Sequence, residues 1–180
     1  PIKTLDDLKG LKVRSFTPSM SALLGHLGAT AVTLSFNEVY PALQRNVASC
    51  GVTSPTSGNT GKWPEVTSYQ LPLSVSGSVQ GYFANLDWWK SLSKTQQAGV
   101  AKVFKDLEDA QWNMANTVND DALACNVGKE PCKEHQKFSM TLATVSEADV
   151  QRVKAAAAEV VLPGWFAKCE ETYKGCTDVW

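Results

Sequence analysis

The sequence is poor in what most enzymes and nucleic-acid binders need. Among its 180 residues only two are histidine, His26 and His135. His26 lies between Gly25 and Leu27 near a predicted helix end, and His135 lies in a polar loop, so capping and solvated roles are expected. No believable catalytic set assembles around either. A formal charge of −1 gives no basic footprint for nucleic acid. No apolar run reaches the length a membrane-spanning helix requires. Gly58-Asn59-Thr60-Gly61-Lys62 lacks the spacing of a phosphate loop, and Trp63 stands where Ser or Thr would follow the lysine. Thr53, Ser54, Thr56 and Ser57 carry hydroxyls but no nucleophile-elbow pattern. Their commoner use is to satisfy turn backbone. No leader pattern is seen either, since Pro1-Ile2-Lys3 runs straight into folded-looking sequence; a trimmed chain would read the same, so location stays open.

What is present suits a globular α/β protein. The hydrophobic share is 43%, and the length allows one domain or two small lobes. Cysteine is informative. Cys125 and Cys132, and again Cys169 and Cys176, are seven positions apart across polar loops that contain Gly. Each pair is expected to close as a local disulfide, which implies an oxidising compartment. A zinc site from Cys125, Cys132 and His135 is the rival, but it lacks a fourth ligand and a common spacing. Cys50, in a run of small residues, reads as a buried free thiol.

Along the chain, Leu11 and Val13 predict a buried strand after Gly10. Met20, Leu23, Leu24 and Leu27 recur at helical spacing before Gly28. A second strand is expected over 29–36. A helix capped by Asn37 is expected to run to Arg45 and to end at Asn46, with Pro41 at its regular start. A third short strand is expected over 47–53, and the strand–helix–strand rhythm argues for a parallel sheet. Residues 54–61 read as a loop. The run 69–75 leads towards a further strand over 79–84. Asn85 caps a short helix carrying Trp88 and Trp89, which read as packing residues. Ser93 opens a long helix to Val118, with Val100, Val103, Phe104, Leu107, Ala110, Met114 and Val118 at helical spacing. A last strand is expected over 138–144. Ser146 caps a helix that meets Pro163-Gly164, with a shorter helical stretch from Trp165 to Tyr173.

Arg14 stands near the carboxyl end of the first strand, just before Thr17-Pro18-Ser19. Ligands of open α/β sheets sit outside that end. A guanidinium there offers a planar fork for a carboxylate or phosphate. Pairing with a structural Asp or Glu is the equal alternative. Phe36 reads as core, or as an apolar wall beside Arg14.

Asp7-Leu8-Lys9-Gly10-Leu11-Lys12-Val13-Arg14 resembles the opening of the second lobe in DctP-type solute-binding proteins of TRAP (tripartite ATP-independent periplasmic) transporters. The resemblance continues through Leu27-Gly28-Ala29 and Phe36-Asn37-Glu38-Val39-Tyr40-Pro41-Ala42-Leu43-Gln44-Arg45. It extends to Trp63 with Glu65-Val66, Asn85-Leu86 with Trp88 and Leu92, and Pro163-Gly164-Trp165.

The resemblance implies a periplasmic-binding-protein-like α/β fold: a mostly parallel sheet flanked by helices, with a long helix crossing between lobes. Residues 1–77 and 119–180 would form the second lobe, and 78–118 the chain's return through the first. It implies an extracytoplasmic, periplasmic receptor, not an enzyme, with no cofactor and no metal. Such a receptor binds a small organic acid by its carboxylate and delivers it to TRAP membrane subunits. Arg14 matches the carboxylate-pairing arginine, Phe36 the aromatic beside the pocket, Thr53 a pocket position often held by Asn, and Thr17 a further polar position. Asn46 stands where the family usually has Gly, and Ser49 where it usually has Asp. Most of the first lobe has no counterpart in these 180 residues. The alternative from another class is a small α/β hydrolase or transferase using the hydroxyl-rich loop 53–57.

Overall fold

Leu5, Leu8, Val13, Met20, Leu23, Leu24, Leu27, Ala29, Val153 and Ala156 bury themselves together, and that cluster defines the first layer of the fold. A computed structural model describes residues 1–77 and 81–179. A 3₁₀ turn, Leu5–Leu8, leads into strand β1, Lys12–Ser15. Helix α1, Pro18–His26, returns over the sheet to β2, Thr30–Thr33. Helix α2, Phe36–Gln44, leads to β3, Cys50–Gly51. The three strands are parallel in the order β2-β1-β3, with Arg14 opposite Val32 on one side and Gly51 on the other. The expected parallel sheet is therefore present, with shorter strands than the apolar pattern suggested.

Turn chemistry explains the joints. Gly10 and Gly28 both have positive φ, +76° and +91°, and Gly10 N–H donates to the Gly28 carbonyl (2.8 Å). This locks the entry of β1 to the end of α1 at a geometry that suits glycine. Asn46 has φ +57° and follows α2 directly, so asparagine supplies the left-handed exit expected of it.

Several expected boundaries are corrected. Helix α2 starts at Phe36, capped by Ser35, not Asn37. Ser35 N–H donates to Glu38 Oε2 (3.0 Å) and Ser35 Oγ to the same oxygen (2.6 Å), which draws the start two residues upstream. Phe36 is thus the first residue of a helix, not the last of a strand. Pro41 falls inside α2, not at its start. Residues 54–61 are not a loop: Pro55–Thr60 form helix α3, because Ser54 Oγ accepts from Ser57 N–H (3.1 Å) and Pro55 fits the first helical position.

Strand β4, Tyr69–Gln70, pairs in parallel with β5, Thr141–Leu142, as a second small sheet. The strand expected over 79–84 begins outside the described residues, and 81–85 are irregular. Helix α4, Leu86–Ser91, is capped by Asn85 Oδ1, and helix α5, Lys94–Asn126, by Ser93, both as expected. α5 continues eight residues beyond Val118, because its last turn is tied down by the loop that follows. Helix α6, Glu147–Ala156, is capped by Ser146, passes through a π-turn at Ala157–Val161 and continues as α7, Leu162–Thr172. The helix therefore does not stop at Pro163-Gly164.

Both expected disulfides are present, Cys125–Cys132 and Cys169–Cys176, so Cys125 and Cys132 are not zinc ligands. Cys50 keeps a free thiol, and burial pushes it up to about 11. His135 is not solvated. Its ring lies 2.9 Å from Asp121 Oδ2, and both side chains are buried. A carboxylate only accepts, so His135 Nδ1 donates. The Lys133 and Glu134 N–H groups also donate to this carboxylate (2.6 and 3.1 Å).

The His135 hydrogen bond, followed by that of Lys133 N–H, holds the Asp121 carboxyl down at about 2. A depressed native pKa stabilises the fold above the unfolded value, near 4, and the stabilisation fades as pH falls towards 2. Asp121→Asn is expected to melt lower than wild type at pH 7, with the gap closing between about pH 4 and 2. Thermal melts across that range check it.

Candidate functional site

β1 delivers two side chains in opposite directions. Val13 joins the apolar cluster, part of which borders a cavity of about 1220 Å³, and Arg14 brings its charge to that same cavity. Arg14 is 4% exposed, and the Val52 N–H donates to its carbonyl (3.2 Å). Its Nε donates to the Leu34 carbonyl (3.1 Å) and its Nη1 to the Val52 carbonyl (2.9 Å). These acceptors are the first residues past the ends of β2 and β3. Two backbone carbonyls thus aim the guanidinium and use two of its five N–H groups. Among the described residues no carboxylate pairs with it, and burial alone pulls its pKa down. The equal alternative of a structural ion pair is therefore not what the fold contains.

Aromatic rings surround this cation. The Arg14 Cζ lies 5.0 Å from the Phe16 ring centroid and 5.7 Å from that of Trp63. Phe36 stacks on Trp63 with centroids 5.5 Å apart. Trp63 is buried with Val39, Ala42, Leu43 and Ala48, so packing fixes its ring, while Phe16 and Phe36 stay open to solvent. Two glycines make room. A Cβ on Gly51 would stand 2.9 Å from Trp63 Cζ3. One on Gly61 would stand 2.8 Å from Phe36 Cζ and 2.9 Å from Trp63 Nε1.

The structure brings Arg14, Phe36 and Thr53 to this one cavity. Thr17 is not brought there: its hydroxyl caps α1 by accepting from Met20 N–H (3.1 Å). Sequence reading missed Phe16 and Trp63 as neighbours of the cation. Phe16 follows Arg14 by two positions at a strand end, a spacing that could have flagged it. It also missed Asn126, 112 positions downstream of Arg14, for which no local signal exists.

Arg14 is the one charged side chain among the described residues that line the cavity. Ser49, where the resemblance leads one to expect Asp, is among them, so no acid offsets the cation there. Among the described residues the lining contains no His, Asp or Glu that could act as a base towards Ser54 or Ser57. Ser54 Oγ is already engaged at the N-terminus of α3. The arrangement can hold an anion; among its described lining residues no imidazole or carboxylate stands ready to serve the alternative hydrolase or transferase.

A family model described as bacterial extracellular solute-binding protein, family 7 (DctP), matches residues 1–165. The chain belongs to this family. The C4-dicarboxylate-binding periplasmic protein DctP of Rhodobacter capsulatus is 27% identical over 124 residues, 68% of this chain and 37% of that protein. A solute-binding protein of Albidiferax ferrireducens is 28% identical over 162 residues, 89% of this chain and 40% of that protein. Among solved structures, a TRAP periplasmic solute-binding protein from Desulfovibrio salexigens with bound orotic acid superposes with a TM-score of 0.80 at 19% identity, over 99% of this chain and 55% of that one. A TRAP protein from Rhodoferax ferrireducens with bound malonate gives 0.74 at 22% identity, over 99% and 53%. These establish the α/β, parallel-sheet fold of TRAP binding proteins. The chain spans about half the length of the solved structures it matches.

Gly61→Ala is expected to lower stability by about 1–3 kcal/mol, because the added methyl must displace Phe36, Trp63 or the Ser57 carbonyl. The gain from a stiffer unfolded chain is smaller, about 0.4–1 kcal/mol. Denaturant titration measures the net change, and a shifted tryptophan emission should accompany it.

Proposed function

We propose that this chain is the second lobe, with a share of the first, of an extracytoplasmic receptor that binds a small organic acid through Arg14 for a TRAP transporter. The observation that carries the proposal is a preorganised cation, aimed by the Leu34 and Val52 carbonyls, in a cavity whose described lining holds no acid. The free N–H groups of Arg14 pair with a carboxylate of the ligand. Phe36, Phe16 and Trp63 form the apolar wall that strengthens this pairing by excluding water, and Thr53 offers a hydroxyl. Relatives whose names or structures involve C4-dicarboxylate, malonate and orotic acid support an acidic ligand. The receptor works outside the cytoplasm, in the periplasm, with TRAP membrane subunits as partners and without catalysis. Among the described residues no helix is long and apolar enough to cross a membrane.

The same reading accounts for a bare apolar face. Tyr82, Phe83, Leu86, Trp88, Val103, Phe104, Leu107, Trp112 and Met114 are all exposed on the segment 81–92 and the first two-thirds of α5. Residues 78–118 are the first lobe's share of this chain, and the rest of that lobe in the intact protein covers this face. Residues 1–77 and 119–180 form the second lobe.

Arg14→Ala in the intact protein is expected to weaken acid binding about 100-fold or more, since a desolvated carboxylate loses its charge-assisted partners. Arg14→Lys should recover part of the loss, because a point charge lacks the planar fork. Calorimetry showing unchanged affinity in Arg14→Ala would reject the assignment. Separately, the 180-residue chain made alone is expected to bind a hydrophobic dye strongly and to self-associate, whereas the intact protein does neither. Dye fluorescence and sedimentation compare the two.

A further inference from the structure

The cavity that Arg14 enters is also lined by elements joined through a buried amide pair. Asn59 in α3 and Asn126 at the end of α5 are 4% and 2% exposed. Asn59 Nδ2 donates to Asn126 Oδ1 (2.8 Å) and to the Gln136 carbonyl (2.7 Å). Asn59 Oδ1 accepts from Gln136 N–H (3.2 Å), and Asn126 Nδ2 donates to the Pro55 carbonyl (3.3 Å). Asn59 therefore spends both ends of its amide inside the protein, and it does not itself line the cavity. The elements it joins do. Pro55, Ser57 and Gly58 of α3, and Asn119, Leu123 and Asn126 on one stripe of α5, all line it. Two further hydrogen bonds join these helices and both are longer, the one from Asn126 Nδ2 to the Pro55 carbonyl (3.3 Å) and one from Thr56 Oγ1 to the Val118 carbonyl (3.5 Å).

Gln136 extends the network into a braced loop. That loop is closed by Cys125–Cys132 and anchored on Asp121 by three donors, from Lys133, Glu134 and His135. Asn59 is thus docked on a rigid partner at both contacts. A satisfied buried polar network fixes one arrangement of the elements it joins, where apolar packing alone would tolerate several.

We infer that Asn59 is a positioning residue: by pinning α3 to α5 it sets the width of the cavity beyond Arg14 and so governs which acids fit, without touching them. This rests on the carboxylate reading of Arg14. The separation of roles is physical. Arg14 is aimed by carbonyls of the β2 and β3 ends, so recognition of the first carboxylate is independent of Asn59. What lies further along the ligand meets the α3 and α5 wall. Discrimination by chain length therefore belongs to the amide pair, and raw affinity to the guanidinium.

The test is calorimetry on the intact protein with malonate, succinate and glutarate as probes. Wild type is expected to spread their Kd values, and Asn59→Ala to compress that spread about tenfold, while Arg14→Ala weakens all three together. A merely structural role for Asn59 would lower the melting temperature and shift the three affinities equally. An unchanged spread in Asn59→Ala overturns the inference. So does a wild type that holds the three acids within about threefold of one another; carboxylate binding then still stands. If wild type binds none of them, Asn59 has no chain-length spread to govern and the inference falls; the carboxylate reading falls only where Arg14→Ala leaves binding of the acid that wild type does take unchanged. Where Asn59→Ala melts below the assay temperature, Asn59→Asp, which keeps the volume and loses the Nδ2 donor, reads the same compression.

Discussion

A guanidinium aimed by two backbone carbonyls is the constraint around which the cavity is arranged. Burying a cation is costly unless dipoles or charges replace its water. Here the replacement comes from Leu34 and Val52, the residues that leave β2 and β3. Because β1 lies between those strands, both carbonyls flank Arg14 only if all three strands run parallel in this register. The sheet therefore does more than bury Val13. It turns the outgoing ends of two neighbours into a bracket for a single side chain. An internal carboxylate would have satisfied the same cation and silenced it; carbonyls orient it and leave its charge uncompensated.

The aromatic cluster depends on the same ends. Trp63 reaches the cation because Gly51, on β3, and Gly61, after α3, have no side chain in its way. Phe36 reaches Trp63 because Ser35 and Glu38 start α2 there. Strand ends, a helix start and two close backbone approaches thus converge within a few ångströms of one charge. Beyond them, the amide pair of Asn59 and Asn126 and the disulfide-braced loop hold the opposite wall.

Local signals were legible in the sequence wherever one residue type decides the outcome. Asn85, Ser93 and Ser146 cap the helices they were expected to cap, and Asn46 takes the left-handed exit. The Met20, Leu23, Leu24 and Leu27 stripe is buried as its spacing implied. Failures came where tertiary contacts outvote local preference. Gly58 and Asn59 are poor helix formers, yet α3 exists because Ser54 caps it and Asn59 is bonded across to α5. Strands came out shorter than the apolar runs because only two to four residues of each find ladder partners. Of the residues to which the family resemblance points, Arg14, Phe36 and Thr53 line one cavity, and Thr17 serves a cap instead. The pairing of Asp121 with His135 left no trace, since the partners lie fourteen positions apart across the end of α5 and the loop that follows it.

Helix α5 has 33 residues, which at the usual rise makes a rod about 50 Å long. Its last turn is clamped by a disulfide and a buried carboxylate, while most of its length projects past the packed clusters. Such a rod acts as a lever arm: a tilt of about 5° at the clamped root sweeps the far tip through roughly 4 Å. A sub-ångström adjustment among the groups at its root is therefore geared up into a displacement large enough for another molecule to feel.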